Sequence, residues 1–508
     1  MNRAGHIGTR LLSVGCMIAI GCGVAASEVS VASTAPNRAA SSGTTDWPWP
    51  GRDSSNSRSA VGSAIVASNI NRLAPVWDVP TPGALTTAAL IVGNTVDAED
   101  DRCVVVAVDR STGRTIWQSP SAGFTIGPEG VAVASGRVYA TTSNGVEALD
   151  EGSGQTIWTR QLTNTATSGV DIQPTVVGNQ VLMATVPVSP GIQYQGGDRG
   201  QLYALNARSG TVDWSFDTVD SPDLWGNPAV NSGGGAWYPP AVDVGAGVVY
   251  WGTANPGPFP GTTQYPNGSS RPGPNLYTDS TVALTLKTGR LRWFDQAVPH
   301  DLFDQDFVDT LVTEANINGT TQKVVVGTGK GGQVLGMDPT TGHVLWKTTV
   351  GAHENHDLTA LPGPTPVLPG TYGGVLSPPA AADGRVYLAV LNAPSVLSPD
   401  KTAYFGGQIG TMNGEVDAID AATGRHLWTA SIPGDPTGGA TVVNDLVITG
   451  TYQGQLIALN RQTGRVVWTT NLGYGISGWM AIAGDLLVVP TGTVGTRGHL
   501  VAFRLPAR

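Results

Sequence analysis

Three observations predict an all-β propeller of eight four-stranded antiparallel blades: a tryptophan-ended repeat, a strand-and-turn composition, and complementary half-repeats at the two chain ends. The repeat reads Ala, an aliphatic, Asp or Asn, two or three variable residues, Gly, three residues, Trp. It occurs as AVDRSTGRTIW ending at Trp117, ALDEGSGQTIW at Trp158, ALNARSGTVDW at Trp214 and ALTLKTGRLRW at Trp293. It continues as GMDPTTGHVLW at Trp346, AIDAATGRHLW at Trp428 and ALNRQTGRVVW at Trp468, which makes seven copies.

Each copy reads as a strand, a tight turn and a second strand. Glycine supplies the positive φ of the turn, and Asp or Asn bonds to its backbone. The indole packs between neighbouring sheets while its N–H finds a carbonyl. The spacings Trp77 to Trp117, Trp117 to Trp158 and Trp428 to Trp468 are each about forty residues, one blade apiece. The longer gaps, 214 to 293 and 346 to 428, predict blades with inserted loops. Trp77 in RLAPVWDV has no upstream partner, and the C-terminal HLVAFRL has no Trp after it. Together they complete an eighth blade, so no long sheet edge stays bare. An open solenoid would instead need capping repeats at both ends.

Composition agrees. With 68 glycines, 35 prolines and 13% charged residues, the chain favours turns and strands over helices. Its 40% hydrophobic content supports a packed core rather than disorder. A net charge of −10 argues against nucleic acid or an anionic membrane surface as partner.

Residues 1–26 read as a signal peptide: Arg3 and Arg10 precede an apolar run from Leu11 to Ala26, with Val24-Ala25-Ala26 at the cleavage point. The run is short for a membrane span. Lipid attachment at Cys22, after Ala19-Ile20-Gly21, is the rival reading. Either predicts a secreted, periplasmic or cell-envelope protein. Residues 27–46 form a linker rich in Ser, Ala and Thr, and 47–508 the propeller. With Cys16 and Cys22 in the leader, only Cys103 remains in the mature chain, so no internal disulfide is expected.

The AxDxxTGxxxW repeat, together with WPWPGRDSSNSRSA and NRLAPVW near the start, resembles the pyrroloquinoline quinone (PQQ) dehydrogenases, including polyvinyl alcohol dehydrogenase-like proteins. The resemblance runs from Trp47 to the C-terminus. It implies an eight-bladed quinoprotein alcohol dehydrogenase with bound PQQ and a metal ion, Ca²⁺ or a lanthanide.

It also assigns residues. VPHDLFDQD, 298–306, matches a Pro-His-Asp-x-Trp-Asp segment whose last Asp is the catalytic base, here Asp304, with Phe303 in place of the Trp. A carboxylate suits removal of a hydroxyl proton as hydride leaves carbon. The same stretch reads alternatively as a polar loop with scattered acids. Asp306 resembles the extra carboxylate of lanthanide-using methanol dehydrogenases, although a surface Asp would look the same. Asn255 in GTANPGP matches a metal-binding Asn, whose carbonyl is a hard ligand; an Asn-Pro turn gives the same letters. Trp237 in GGGAWYPP matches the indole on which PQQ stacks, and lies outside the blade repeat. Lys330 in GTGKGGQV matches the cation beside the quinone oxygens, or forms a solvated turn. The implied metal ligands are Asn255, Asp304 and Asp306, and the implied cofactor contacts Trp237 and Lys330.

The sequence departs from the family in places. The metal-binding Glu aligns near Gln195 in QYQGGDRG, with Asp198 three residues on; the adjacent-cysteine pair is absent; and Leu376 follows Gly-Gly-Val where many members have Trp. No C-x-x-C-H haem motif, P-loop, dinucleotide fingerprint or G-x-S-x-G elbow occurs, and His353, Glu354 and His356 fit no zinc spacing. The resemblance implies oxidation of an alcohol or polyol-type hydroxyl, with electrons passed to an external acceptor. The rivals are a non-catalytic binding or envelope-assembly propeller, and a hydrolase with two carboxylates across the channel. Convergence of Trp237, Asn255, Asp304 and Lys330 in one pocket would favour the dehydrogenase.

Overall fold

A computed structural model describes residues 46–506 except 126, 164–166, 188–195, 197 and 403–408. The leader, Cys22 and Gln195 lie outside the described residues, as does the linker apart from its last residue. Eight four-stranded sheets follow one another along the chain. Blades 1 to 7 occupy residues 90–118, 131–161, 175–217, 241–296, 309–349, 380–432 and 441–471. Blade 8 joins Ala481–Ala483, Leu486–Pro490 and Gly498–Arg504 to Ala74–Thr81 from the other end of the chain. Every ladder is antiparallel, and Trp77 sits opposite Ala502 as Trp117 sits opposite Ala107.

The repeat residues join one blade to the next. Gly113, Gly154, Gly210, Gly289, Gly342, Gly424 and Gly464 all have φ between 65° and 75°. A Cβ on any of them would lie 2.4–2.7 Å from an indole atom of the preceding blade's Trp. Glycine is therefore required twice over, for the turn and for the indole lying against it. The indole N–H groups cross the same seam: Trp77 donates to Arg110 O at 3.1 Å, Trp117 to Glu151 O at 2.8 Å and Trp346 to Ala421 O at 2.9 Å. Each docking thus buries a large apolar face and satisfies its one polar atom. Trp468 alone meets no such turn, because the outer strands of blade 8 come from opposite chain ends. It makes a T-shaped contact with Phe503, centroids 6.5 Å apart.

The residues before blade 8's outer strand cross the axis. The first strand of each blade is the sheet edge opposite its Trp-bearing strand. Residues 46–64 bond to blades 1 and 4 to 8. Trp47 exchanges both backbone hydrogen bonds with Ile91 of blade 1. Val242, Val312, Ala381 and Val442, in blades 4 to 7, donate their N–H groups to the carbonyls of Ser54, Ser55, Ser57 and Arg58. Ala64 donates to Gly484 O in blade 8 at 2.9 Å. This segment satisfies inner-edge N–H groups that would otherwise face a narrow channel.

Direction reverses at every strand of a blade. The turns between second and third strands therefore emerge at the same end as the connections from one blade to the next. The long insertions leave at that end: 218–240 between blades 3 and 4, 253–279 within blade 4, 297–308 between blades 4 and 5, and 350–379 between blades 5 and 6. All the proposed site residues lie in these insertions or in the second-to-third-strand turn of blade 5.

Candidate functional site

The loop from 298 to 308 is shaped by Asp301. Its carboxylate accepts the backbone N–H groups of Phe303 and Gln305, both at 2.6 Å. Asp304, between them, takes a left-handed φ of 64°, which Asp tolerates better than most residues. Arg271 of the blade 4 insertion, fully buried, donates to Asp301 O at 2.5 Å and to Pro258 O, which ties that insertion to the loop. Asp301 is thus a turn builder. Burial raises its carboxyl to about 6 against the two backbone donors.

The turn of blade 5 comes against this loop by backbone contact. Lys330 N–H donates to Asp306 O at 3.1 Å and Gly331 N–H to Gln305 O at 3.3 Å. A side chain at Gly329 would place its Cβ 2.4 Å from Asp306 O, which explains a glycine there. The approach delivers the Lys330 ammonium to 2.8 Å from Asp304 Oδ2 and 2.6 Å from Asp306 Oδ2. All three side chains are buried. Burial pushes Asp304 well above the usual carboxylate range, and the Lys330 ammonium opposes that shift. Asp306 Oδ1 accepts the backbone N–H of Asn255 at 2.7 Å, which joins the blade 4 insertion to the same cluster.

Trp237 completes the group. Its ring centroid is 5.8 Å from Lys330 Nζ, within cation–π range. The indole is half-buried and packs on Tyr238, which in turn meets Trp479, at centroid distances of 4.6 and 6.0 Å. Trp479 donates to Pro50 O at 2.8 Å, and Arg58 lies 5.2 Å from its centroid. The axial segment therefore underpins Trp237. Beside the indole is a small cleft lined by Asp171, Val186, Pro187, Gly235, Ala254 and Asn255.

The structure thus brings together all five residues singled out in the sequence. Trp237 and Asn255 line the cavity; Asp304, Asp306 and Lys330 form the ionic cluster beside it. Four contributors were not singled out in the sequence. Asp301, Arg271 and Tyr238 act through contacts with distant loops. Asp171 lines the cavity with one carboxylate oxygen lacking a hydrogen bond, and burial raises it to about 7, with Asp306 adding to the shift. Asp198 is engaged elsewhere, accepting the Thr167 hydroxyl. Leu376 contributes its carbonyl, which accepts the Tyr238 hydroxyl at 2.8 Å. His353 and His356 lie against one another, centroids 4.2 Å apart, and His356 O accepts the Gln305 side-chain amide.

The metal expectation fits this arrangement poorly. Both carboxylates meant for the ion are paired with an ammonium, and among the described residues no three His, Cys, Asp or Glu side chains are grouped to hold one. The chemistry around the cavity fits PQQ better: a flat indole, a cation and polar backbone for a flat, anionic, carbonyl-rich molecule.

Comparison with known proteins agrees with the repeat. A family model for the β-propeller domain of glucose, ethanol and alcohol dehydrogenases matches residues 161–358. One for the outer membrane protein assembly factor BamB matches 412–504, and one for the N-terminal part of strictosidine synthase-like proteins matches 121–146. The quinohemoprotein alcohol dehydrogenase ADH IIB of Pseudomonas putida is 25% identical over 75% of this chain and 69% of its own length. The dehydrogenase subunit of a quinone alcohol dehydrogenase of Gluconobacter oxydans is 27% identical over 59% of this chain. The chain spans only 44% of that relative and 57% of its counterpart in Comamonas testosteroni. Solved structures agree in fold: the Comamonas testosteroni quinohemoprotein alcohol dehydrogenase superposes with a TM-score of 0.79 at 21% identity, covering 93% of this chain and 82% of that one. A europium-containing methanol dehydrogenase superposes at 0.76 and 20% identity, covering 91% and 99%. In repeat, fold and sequence the chain is thus similar to the quinoprotein alcohol dehydrogenase-like β-propellers.

Proposed function

We propose that the protein is a PQQ-dependent oxidoreductase acting outside the cytoplasm on an alcohol or sugar-like hydroxyl and passing electrons to an external acceptor. One observation carries the reading: residues 237, 255, 304, 306 and 330, scattered over three insertions and one turn, meet at one end of the propeller. Repeat packing alone does not require that meeting. The relatives' activity supports the reaction class.

Trp237 and the cavity beside it would hold the cofactor, with Lys330 facing its polar edge. PQQ, when bound, supplies a quinone that accepts two electrons. Asp304 is the group that removes the hydroxyl proton. Burial makes the carboxylate a stronger base, and the Lys330 ammonium opposes that shift. The axial segment closes the floor, so substrate enters from the insertion end and water is held off from below. With no haem motif in the sequence, electrons leave to a separate acceptor. Among the described residues no helix is long and apolar enough to cross a membrane. The leader and a lipid anchor at Cys22 are part of this proposal.

The test is PQQ binding to the purified protein, read by absorbance and tryptophan quenching, with dye reduction by a panel of alcohols. Binding with turnover that Asp304→Ala abolishes is the expected result. Absence of PQQ binding would overturn it and favour an assembly module, the reading supported by the BamB-type match at 412–504.

A further inference from the structure

The ionic cluster raises its own question: what cation balances Asp304 and Asp306? Of their four carboxylate oxygens, two are paired with Lys330 at 2.8 and 2.6 Å and a third accepts the Asn255 N–H at 2.7 Å. Only Asp304 Oδ1 is left with neither an ion pair nor a hydrogen bond. A Ca²⁺ ion needs six to eight oxygen ligands, and a trivalent ion needs more negative charge still. To use both Asp304 and Asp306 as ligands, either would have to displace Lys330 from them or sit a few ångströms from that ammonium.

Nor is the ammonium free to retreat. Lys330 and Gly331 are bonded through their backbone to Asp306 and Gln305, in the same loop as the carboxylates. On the far side, a Cβ at Gly374 would stand 2.1 Å from Lys330 O, so the turn is gripped between two loops. The Trp237 ring lies alongside at 5.8 Å. The cation is therefore built in beside both carboxylates, on a turn whose backbone is held from two sides.

We infer that Lys330 is the resident counter-cation of this site, so that the site takes up its quinone cofactor without Ca²⁺ or a lanthanide. The cofactor arm rests on the function proposed above; the metal arm does not. It assigns this chain a different ionic solution from the metal-dependent one that its resemblance implies.

The experiment uses Tb³⁺, whose luminescence is sensitised by a nearby indole, and Trp237 is placed for that. Metal-stripped wild-type protein should give no saturable Tb³⁺ luminescence and no rise in Tm with Tb³⁺ or Ca²⁺. Lys330→Met removes the ammonium at similar volume and should bind Tb³⁺ at least about tenfold more tightly, because two buried carboxylates then lack a partner. PQQ binding by the wild type, read by tryptophan quenching, should be the same in EDTA as in Ca²⁺ or La³⁺. Saturable one-to-one Tb³⁺ binding by the wild type, or PQQ binding lost in EDTA and restored by metal, overturns the inference. If PQQ binds under no condition, the enzyme reading fails and the Tb³⁺ titration still decides the counter-cation. Should Lys330→Met not fold, the wild-type titration and the EDTA comparison decide it alone.

Discussion

The outer ring and the insertion end of this propeller obey different rules. In the ring, one contact is made seven times: an indole of one blade lies on a glycine turn of the next and donates to a carbonyl there. At the insertion end no contact repeats, and buried charge takes the place of buried indole. Lys330 serves Asp304 and Asp306, Arg271 lies with Asp301, and Arg58 offsets Asp309. Repetition makes the ring robust, since each docking needs only its neighbour. The insertion end is a single solution, in which each side chain depends on several loops at once.

The two regions should therefore break differently. Asp304→Ala should cost turnover about 10²- to 10⁴-fold, the range for loss of a general base, with little change in melting temperature. Dye-coupled rates and a thermal melt on one preparation separate the two effects. Trp346→Ala should do the reverse, destabilising by about 3–5 kcal/mol in urea unfolding, because the indole is 8% exposed and its N–H is paired. Trp468→Ala should cost visibly less, since no glycine turn receives that half-buried indole. Equal losses at the two positions would show that the docking turn adds nothing to the Trp.

A third contrast lies between blades 1 and 2. Asp97, Glu99 and Glu129 are fully buried there, and neither oxygen of Asp97 has a hydrogen bond. Burial raises Asp97 to about 8 and holds Glu99 and Glu129 well above the usual carboxylate range. The folded state thus keeps protons that the unfolded chain gives up near pH 4. Stability from these groups is complete below that pH and is lost as pH rises towards about 8, on the order of a few kcal/mol for the group. Asp97→Asn should flatten the fall in unfolding free energy between pH 5 and 8; an unchanged slope would remove Asp97 from the account. The smallest effect belongs to Gly424→Ala. There φ is 70° and a Cβ would meet Trp346 Cε3 at 2.5 Å, for a loss of roughly 1–3 kcal/mol. It should be no greater than that of Trp346→Ala, and in a Trp346→Ala background only the part owed to the left-handed φ should remain.

The ring was legible because its constraint is local. Ala, Asp, Gly and Trp fall within eleven residues, so the spacing itself is the signal. The half-repeats at Trp77 and HLVAFRL were enough to foresee the mixed eighth blade. The site was half legible. Asp304, Asp306, Asn255, Trp237 and Lys330 were found through family-like segments, and they do meet. Asp301 sat in the same segment but read as one acid among several, because its role is to hold the Phe303 and Gln305 N–H groups. Arg271 and Asp171 carried no pattern, since their meaning comes from loops well separated in sequence. The metal was the other limit: letters that resemble ligands do not reveal that a lysine has been brought to 2.6 Å from one of them.

The axial segment also fixes an order of events. Residues 46–64 are synthesised before any blade, yet their hydrogen-bond partners run from Ile91 to Gly484. The strand Ala74–Thr81 likewise waits for Gly498–Arg504. No blade-by-blade assembly during synthesis can seat either one. The middle blades can stack as they emerge, but the floor under Trp237 and the closing of the circle belong to the last moment of folding. The support that Pro50 and Trp479 give to Tyr238 and Trp237 therefore waits for residues near the C-terminus.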